Sequence, residues 1–181
     1  GSSAGKTGKR GRGCGHTPGP GGPGHDRWEN DSWGKGGVPI WTASAIDPDL
    51  GLLYVPVGNA WPDTDGTKRG GDNLFTASIV ALDLKTGAYK WHFQEVHHDI
   101  WDFDAPSPTV LFDQMYNGVL RKGIYEPGKT GWVYWLDRTN GEPLVGINET
   151  PVEQEPRQAT AAPQPIPVGV RSMYPGAYPV A

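Results

Sequence analysis

Glycine and proline recur along this chain at a density that limits what it can fold into. The 181 residues include 27 glycines and 18 prolines. Each of these residues disfavours a helix interior, because proline removes a backbone donor and glycine costs conformational entropy. Eight tryptophans add large rings that pack at defined positions. The sequence therefore predicts an all-β fold of short strands joined by tight turns.

Three segments with the same turn chemistry predict β-hairpins. Their turns, at 47–51, 83–87 and 137–141, each begin with aspartate and end with glycine. An aspartate side chain accepts hydrogen bonds from turn amides, and glycine adopts the positive φ that closes the loop. The flanking strand segments are 42–46 and 52–55, 78–82 and 89–93, and 132–136 and 143–145.

The second and third turns indicate a repeat. Asp83 and Asp137 are 54 residues apart, which is close to one four-stranded propeller blade plus a longer loop. A chance pairing of two tight turns is the alternative interpretation.

Composition divides the chain into three parts. Residues 1–27 are rich in glycine and proline and are predicted to be disordered or foreign to the fold. Residues 28–150 carry the strand patterns, and 151–181 are predicted to be an irregular proline-rich loop. The net charge of -4 gives no reason to expect nucleic-acid binding. Cys14 is the only cysteine, which excludes an internal disulfide.

Four motifs resemble segments of the quinoprotein (PQQ-dependent) dehydrogenases. ALDLKTGAYKW at 81–91 resembles the repeat in which a tryptophan of one blade packs against the next blade. VHHDIWDFDAP at 96–106 is similar to the active-site loop of the glucose-dehydrogenase-like branch. LYVPVGN at 53–59 resembles the metal-binding segment, and KTGWVYWLDR at 129–138 resembles a strand that contacts the cofactor. The resemblance covers about residues 28–169 and implies a partial β-propeller, two to three blades of an eight-bladed parent, with long irregular loops.

The resemblance also implies a role for five residues. Asp102 would be the general base and a metal ligand, Asn59 would donate its amide oxygen to the metal, and Asp104 would add a second carboxylate. Trp41 would stack on the cofactor ring, and Lys129 would lie near the quinone oxygens. Each also has a simpler interpretation as a turn residue, a surface lysine or a packing tryptophan.

The implied cofactors are PQQ and a divalent or trivalent cation. Calcium is the expected metal, with a lanthanide or magnesium as the alternative, because an Asp-x-Asp pattern does not decide between them. His97 and His98 beside Asp99 could instead indicate a transition-metal site, but no further histidine or cysteine lies at ligand spacing. The resemblance implies that the histidines orient the loop of Asp102.

The predicted function is oxidation of an aldose or an alcohol, with electrons passed to a quinone or a cytochrome. The resemblance implies a periplasmic location, with inner-membrane association as an alternative. The family's metal-binding glutamate and adjacent cysteines have no counterpart, so we expect a fragment that is inactive alone and is marginally folded or self-associating. The alternative is a non-catalytic propeller scaffold that binds proteins. Clustered carboxylates beside a lysine favour the enzyme.

Overall fold

The computed structural model describes residues 21–173, which form three antiparallel sheets. The first sheet contains β1 (Ala45–Asp47), β2 (Leu52–Val57), β3 (Ser78–Asp83) and β4 (Tyr89–Gln94), in sequence order. The second contains β5 (Val110–Tyr116), β6 (Val119–Pro127) and β7 (Val133–Asp137), and the third contains β8 (Ile147–Pro151) and β9 (Pro163–Pro167). Two 3₁₀ turns (His25–Arg27, Glu29–Asp31) and a single-turn helix, α1 (Trp33–Gly36), precede them. No helix within residues 21–173 is long and apolar enough to cross a membrane.

The predicted turn chemistry is confirmed. In all three turns the aspartate Oδ1 accepts the backbone N–H two residues later, at 2.9 to 3.2 Å. The closing glycines have φ angles of 65°, 70° and 80°. The first two hairpins, β1–β2 and β3–β4, form as predicted. Four strands in sequence order are the arrangement of one propeller blade.

Three parts of the prediction differ from the structure. The third predicted hairpin is incomplete, because β7 pairs with β6 and meets residues 143–145 only through a single bridge between Leu136 and Pro143. The β5–β6 hairpin was not predicted. Strand β9 lies in the segment predicted to be irregular, where it pairs with β8. Residues 1–20 of the predicted disordered segment lie outside the described residues.

The main core joins the first sheet to the second. Tyr54, Ile79 and Trp91 of the first sheet pack with Ile124 and Leu136 of the second, and all five are buried. The Trp91 ring also lies against the third turn. A Cβ built on Gly141 would come within 2.6 Å of Trp91 Cε3, so only a residue without a side chain allows this approach.

A buried arginine fixes the two sheets at a second point. Arg138 Nε donates to Asp47 Oδ2 of β1 at 2.7 Å, and Arg138 Nη1 donates to Phe112 O of β5 at 2.7 Å. Tyr54 Oη donates to Arg138 O at 2.9 Å. A buried charge is tolerated only when it is paired and hydrogen-bonded, so these contacts hold the sheets in one arrangement and align the loops at their ends.

Candidate functional site

The five residues predicted from the resemblance converge on one carboxylate, Asp104. Lys129 Nζ lies 3.0 Å from Asp102 Oδ2 and 2.5 Å from Asp104 Oδ2. Asp104 Oδ1 accepts the backbone N–H of Asn59 at 2.7 Å and lies 3.5 Å from Trp41 Nε1.

These residues come from loops at the ends of strands in both large sheets. Trp41 precedes β1 and Asn59 follows β2, whereas Asp102 and Asp104 lie in the loop between β4 and β5. Lys129 follows β6 of the second sheet. The contact between the two sheets therefore brings the lysine to the carboxylates.

The amide of Asn59 has a fixed orientation. Asn59 Nδ2 donates to Asp63 Oδ1 at 2.8 Å and to Ala60 O at 3.2 Å. Because the nitrogen makes both bonds, the amide oxygen is the atom that can coordinate a hard cation. Asp63 was not predicted as a site residue, although it lies only four positions after Asn59.

Gly58 permits the close contact between Asp104 and Trp41. A Cβ at Gly58 would lie 2.8 Å from Asp104 Oδ1 and 3.1 Å from Trp41 Nε1. Any side chain would therefore separate them. Trp41 is 57% exposed, so the indole offers a surface on which a planar ring could stack.

Asp99 holds the loop that presents Asp102. Asp99 Oδ1 accepts the Trp101 N–H at 2.9 Å, and Asp99 Oδ2 accepts the Phe103 N–H at 2.8 Å. Asp102 lies between these two amides with a φ of 63°, a left-handed conformation that aspartate adopts more readily than most residues. Burial raises the pKa of Asp99 to about 7, although both N–H donors oppose the rise. Sequence reasoning assigned no role to Asp99 itself.

The two histidines bind other segments. The ring nitrogens of His98 lie 2.7 Å from Gly71 O and 2.9 Å from Gln158 O. His97 Nδ1 lies 2.7 Å from Gln94 Oε1. In the described part of the chain, no group of three His, Cys, Asp or Glu side chains is placed to hold a metal ion. The predicted cation ligands are two carboxylates and an amide.

The electrostatics of the cluster suit a cation. Asp104 is buried, with 5% of its side chain exposed, and a buried carboxylate requires a compensating charge. Burial lowers the pKa of Lys129, but hydrogen bonds and charge from Asp104 and Asp102 outweigh it, and the pKa is raised. The ammonium thus lies between the carboxylates of Asp102 and Asp104. These oxygen atoms fit a hard cation such as calcium.

Two buried glutamates near this cluster were also missed by sequence reasoning. Glu95 follows β4, and Glu126 lies in β6 three residues before Lys129. Their positions in the chain carry no signal of their burial, because that burial comes from contacts between distant segments.

The chain matches the family described as "PQQ: Glucose/ethanol/alcohol dehydrogenase, beta-propeller domain" over residues 10–177. It is 43% identical over 119 residues to a quinohemoprotein alcohol dehydrogenase of Comamonas testosteroni, covering 65% of this chain and 17% of the relative. It is 42% identical over 130 residues to a quinoprotein glucose dehydrogenase of Gluconobacter oxydans, covering 70% of this chain and 16% of the relative.

Solved structures show the same likeness. The Comamonas testosteroni enzyme superposes with a TM-score of 0.60 at 38% identity, over 74% of this chain and 20% of that one. A europium-containing methanol dehydrogenase superposes with a TM-score of 0.65 at 28% identity, over 82% of this chain and 26% of that one. The sheets described above are therefore part of a β-propeller, and the chain belongs to the PQQ-dependent glucose/ethanol/alcohol dehydrogenase family.

Proposed function

We propose that the full-length protein carrying this sequence oxidises an alcohol or an aldose by metal-assisted hydride transfer to PQQ, with Asp102 as the general base. The supporting observation is the convergence of Asp102, Asp104 and Lys129 beside the backbone N–H of Asn59. The chain spans less than a fifth of the curated relatives described above, so the activity is proposed for the whole protein.

Asp102 is suited to take the proton of a substrate hydroxyl. Half of its side chain is exposed, which leaves the carboxylate accessible from solvent. PQQ, when bound, supplies the two-electron acceptor that receives the hydride. Asp99 acts through the backbone by holding the loop that presents Asp102, so its role is one of positioning.

Asn59, Asp102 and Asp104 would hold the cation. Their oxygen atoms suit calcium, and the likeness to a europium-containing enzyme keeps a lanthanide as the alternative, with magnesium as a further candidate. Trp41 would stack on the cofactor ring. Lys129 would place positive charge beside the quinone oxygens and stabilise negative charge that develops there.

The names of the relatives include both an alcohol dehydrogenase and a glucose dehydrogenase. The proposal therefore keeps both an aldose and an alcohol as substrate classes. We further propose a quinone or a cytochrome as the electron acceptor and a periplasmic location, with association with the inner membrane as the alternative.

A protein-binding scaffold is the second candidate. Exposed apolar side chains at the tip of the β5–β6 hairpin favour it, among them Met115, Val119 and Leu120. A scaffold, however, requires no lysine between two carboxylates, so the enzyme accounts for more of the structure.

Replacing the proposed base tests the function. In the full-length protein, Asp102→Asn should lower kcat for dye-linked substrate oxidation by about 10³-fold, because an amide cannot accept the hydroxyl proton, while PQQ binding is largely retained. Asp49→Asn, an exposed turn position, is the matched control and should leave kcat unchanged. Turnover like that of the wild type in the Asp102 variant would remove Asp102 from the base role.

A further inference from the structure

Glu95 and Glu126 form a buried pair of carboxyl groups next to the proposed site. Glu95 is 1% exposed and Glu126 is fully buried. The two carboxyl groups lie close enough to each other to share a hydrogen bond. The proposed function gives neither residue a role.

Too few hydrogen-bond donors surround the two carboxyl groups for both of them to be ionised, so one of them carries a proton. Glu126 Oε1 accepts the Ser107 N–H at 2.9 Å. Glu126 Oε2 and both Glu95 oxygens are buried, and none has a hydrogen-bond donor among the other residues that the structure describes. An ionised carboxylate can only accept hydrogen bonds, so two ionised glutamates cannot bind each other. One proton held between them gives each glutamate one hydrogen bond and leaves a single negative charge on the pair.

The pair also packs tightly against the segment that carries Lys129. A Cβ at Gly128 would lie 2.4 Å from Glu95 Oε2, so this carboxyl group lies against the backbone next to the lysine. Ser107 Oγ donates to Pro127 O at 3.1 Å, which ties the same segment to the loop after Asp104.

Three segments that carry site residues therefore meet at one pair of side chains. Glu95 begins the loop that leads to Asp102, Ser107 follows Asp104 by three residues, and Glu126 precedes Lys129 by three. We propose that Glu95 and Glu126 share one proton and act as positioning residues, holding these segments so that Lys129 meets Asp102 and Asp104. The shared proton follows from the geometry and does not depend on the proposed function. Only its effect on catalysis rests on that function.

The surroundings of the pair set the sign of its pH dependence. Burial raises the pKa of Glu95 well above its ordinary value, and the charge of Glu126 adds to the rise. Burial also raises the pKa of Glu126, against its bonds to Glu95 and Ser107, and the nearby charge of Asp104 adds to it. Lys129 compensates Asp104, and Tyr134 Oη donates to Glu95 O at 3.3 Å without reaching the carboxyl group.

A raised pKa in the folded state means that folding favours the protonated pair. The contribution to stability is complete below the ordinary glutamate pKa, and it is lost as the pH rises through the folded-state value. Above that value two negative charges share a buried space that holds too few donors for them.

Urea unfolding of the full-length protein and of its Glu95→Gln variant, measured from about pH 5 to about pH 9, tests the shared proton. The glutamine amide is neutral throughout this range, and its N–H can donate to Glu126 at every pH. The stability of the wild type relative to Glu95→Gln should fall as the pH rises, because only the wild type carries the titration of Glu95. Asp99 contributes equally in both proteins to the change of unfolding free energy with pH, so its contribution cancels when the two slopes are compared.

Glu142→Gln is the matched control, because Glu142 is exposed, and it should keep the slope of the wild type. Equal slopes for the wild type and Glu95→Gln would overturn the shared proton.

Hydrogen exchange of the Ser107 amide, at one pH, tests the positioning role. Glu126→Ala removes the acceptor and should lower the protection of this amide by about tenfold or more. Glu126→Gln keeps an acceptor oxygen and should restore most of the protection. Unchanged protection in Glu126→Ala, or equal loss in both variants, would overturn the role. Neither measurement involves PQQ or turnover, so each can fail while the proposed function stands. The proposed function can likewise fail while the shared proton and the positioning role stand.

Discussion

The first and second sheets differ in how far they are covered. In β3 of the first sheet, Ile79, Val80 and Ala81 are fully buried in succession, so protein covers both faces. In the β5–β6 hairpin of the second sheet, Met115 and Leu120 are 60% and 62% exposed. The proposed oxygen ligands lie in the segments that follow β2 and β4 of the covered sheet, whereas the lysine follows β6 of the second sheet. The well-packed first sheet thus holds the carboxylates in position. The contact between the two sheets then brings Lys129 to them.

Truncation of one aliphatic side chain in each sheet should show the largest difference. Ile79→Ala should lower the free energy of unfolding by about 3 kcal/mol, because it leaves a cavity in the covered sheet. Leu120→Ala, in the exposed hairpin, should cost less than about 0.5 kcal/mol. Urea denaturation of the full-length protein, followed by tryptophan fluorescence, measures both. Equal losses would show that the β5–β6 hairpin is covered as fully as β3.

The contact between the sheets can be tested at two equivalent turns. Gly87 and Gly141 both have positive φ, but only Gly141 lies against the Trp91 ring. Gly87→Ala should cost about 1 kcal/mol for the strained backbone. Gly141→Ala adds the displacement of the ring and should cost about 3 kcal/mol. If the two variants unfold at the same urea concentration, the packing of Trp91 on this turn contributes nothing to stability.

The smallest expected effect concerns Asp99 and depends on pH. Its folded-state pKa of about 7 lies above the ordinary value, so its contribution to stability is present at low pH and is lost as the pH rises through about 7. Asp99→Asn should remove this slope. Because asparagine keeps one acceptor oxygen for two loop amides, the variant should be about 1 kcal/mol less stable at low pH, and the gap should narrow as the pH rises. If the difference in unfolding free energy between the wild type and Asp99→Asn widened as the pH rises, the predicted direction of the pH dependence would be wrong.

Local chemistry made part of this fold predictable. The three turns follow from an aspartate and a glycine a few residues apart, and the structure confirms them. The β5–β6 hairpin was missed because charged residues such as Asp113 and Lys122 interrupt its apolar pattern. In β9, prolines at alternate positions hid a strand, although the residues between them still offer backbone donors.

The proposed site was predictable only through resemblance. Asn59, Asp102 and Lys129 lie far apart in the sequence, and their convergence depends on the packing of two sheets. Asp99 and the Glu95–Glu126 pair were missed for a related reason. Their roles follow from burial and from hydrogen bonds to segments that no short motif identifies.

A crystal structure of the full-length protein with PQQ and calcium would test the central claim most directly. The account predicts a cation within bonding distance of Asn59 Oδ1 and of the Asp102 and Asp104 carboxylates, with the PQQ ring against Trp41 and Lys129 beside its oxygens. A cation and cofactor bound elsewhere, with Lys129 still joining the two aspartates, would contradict it.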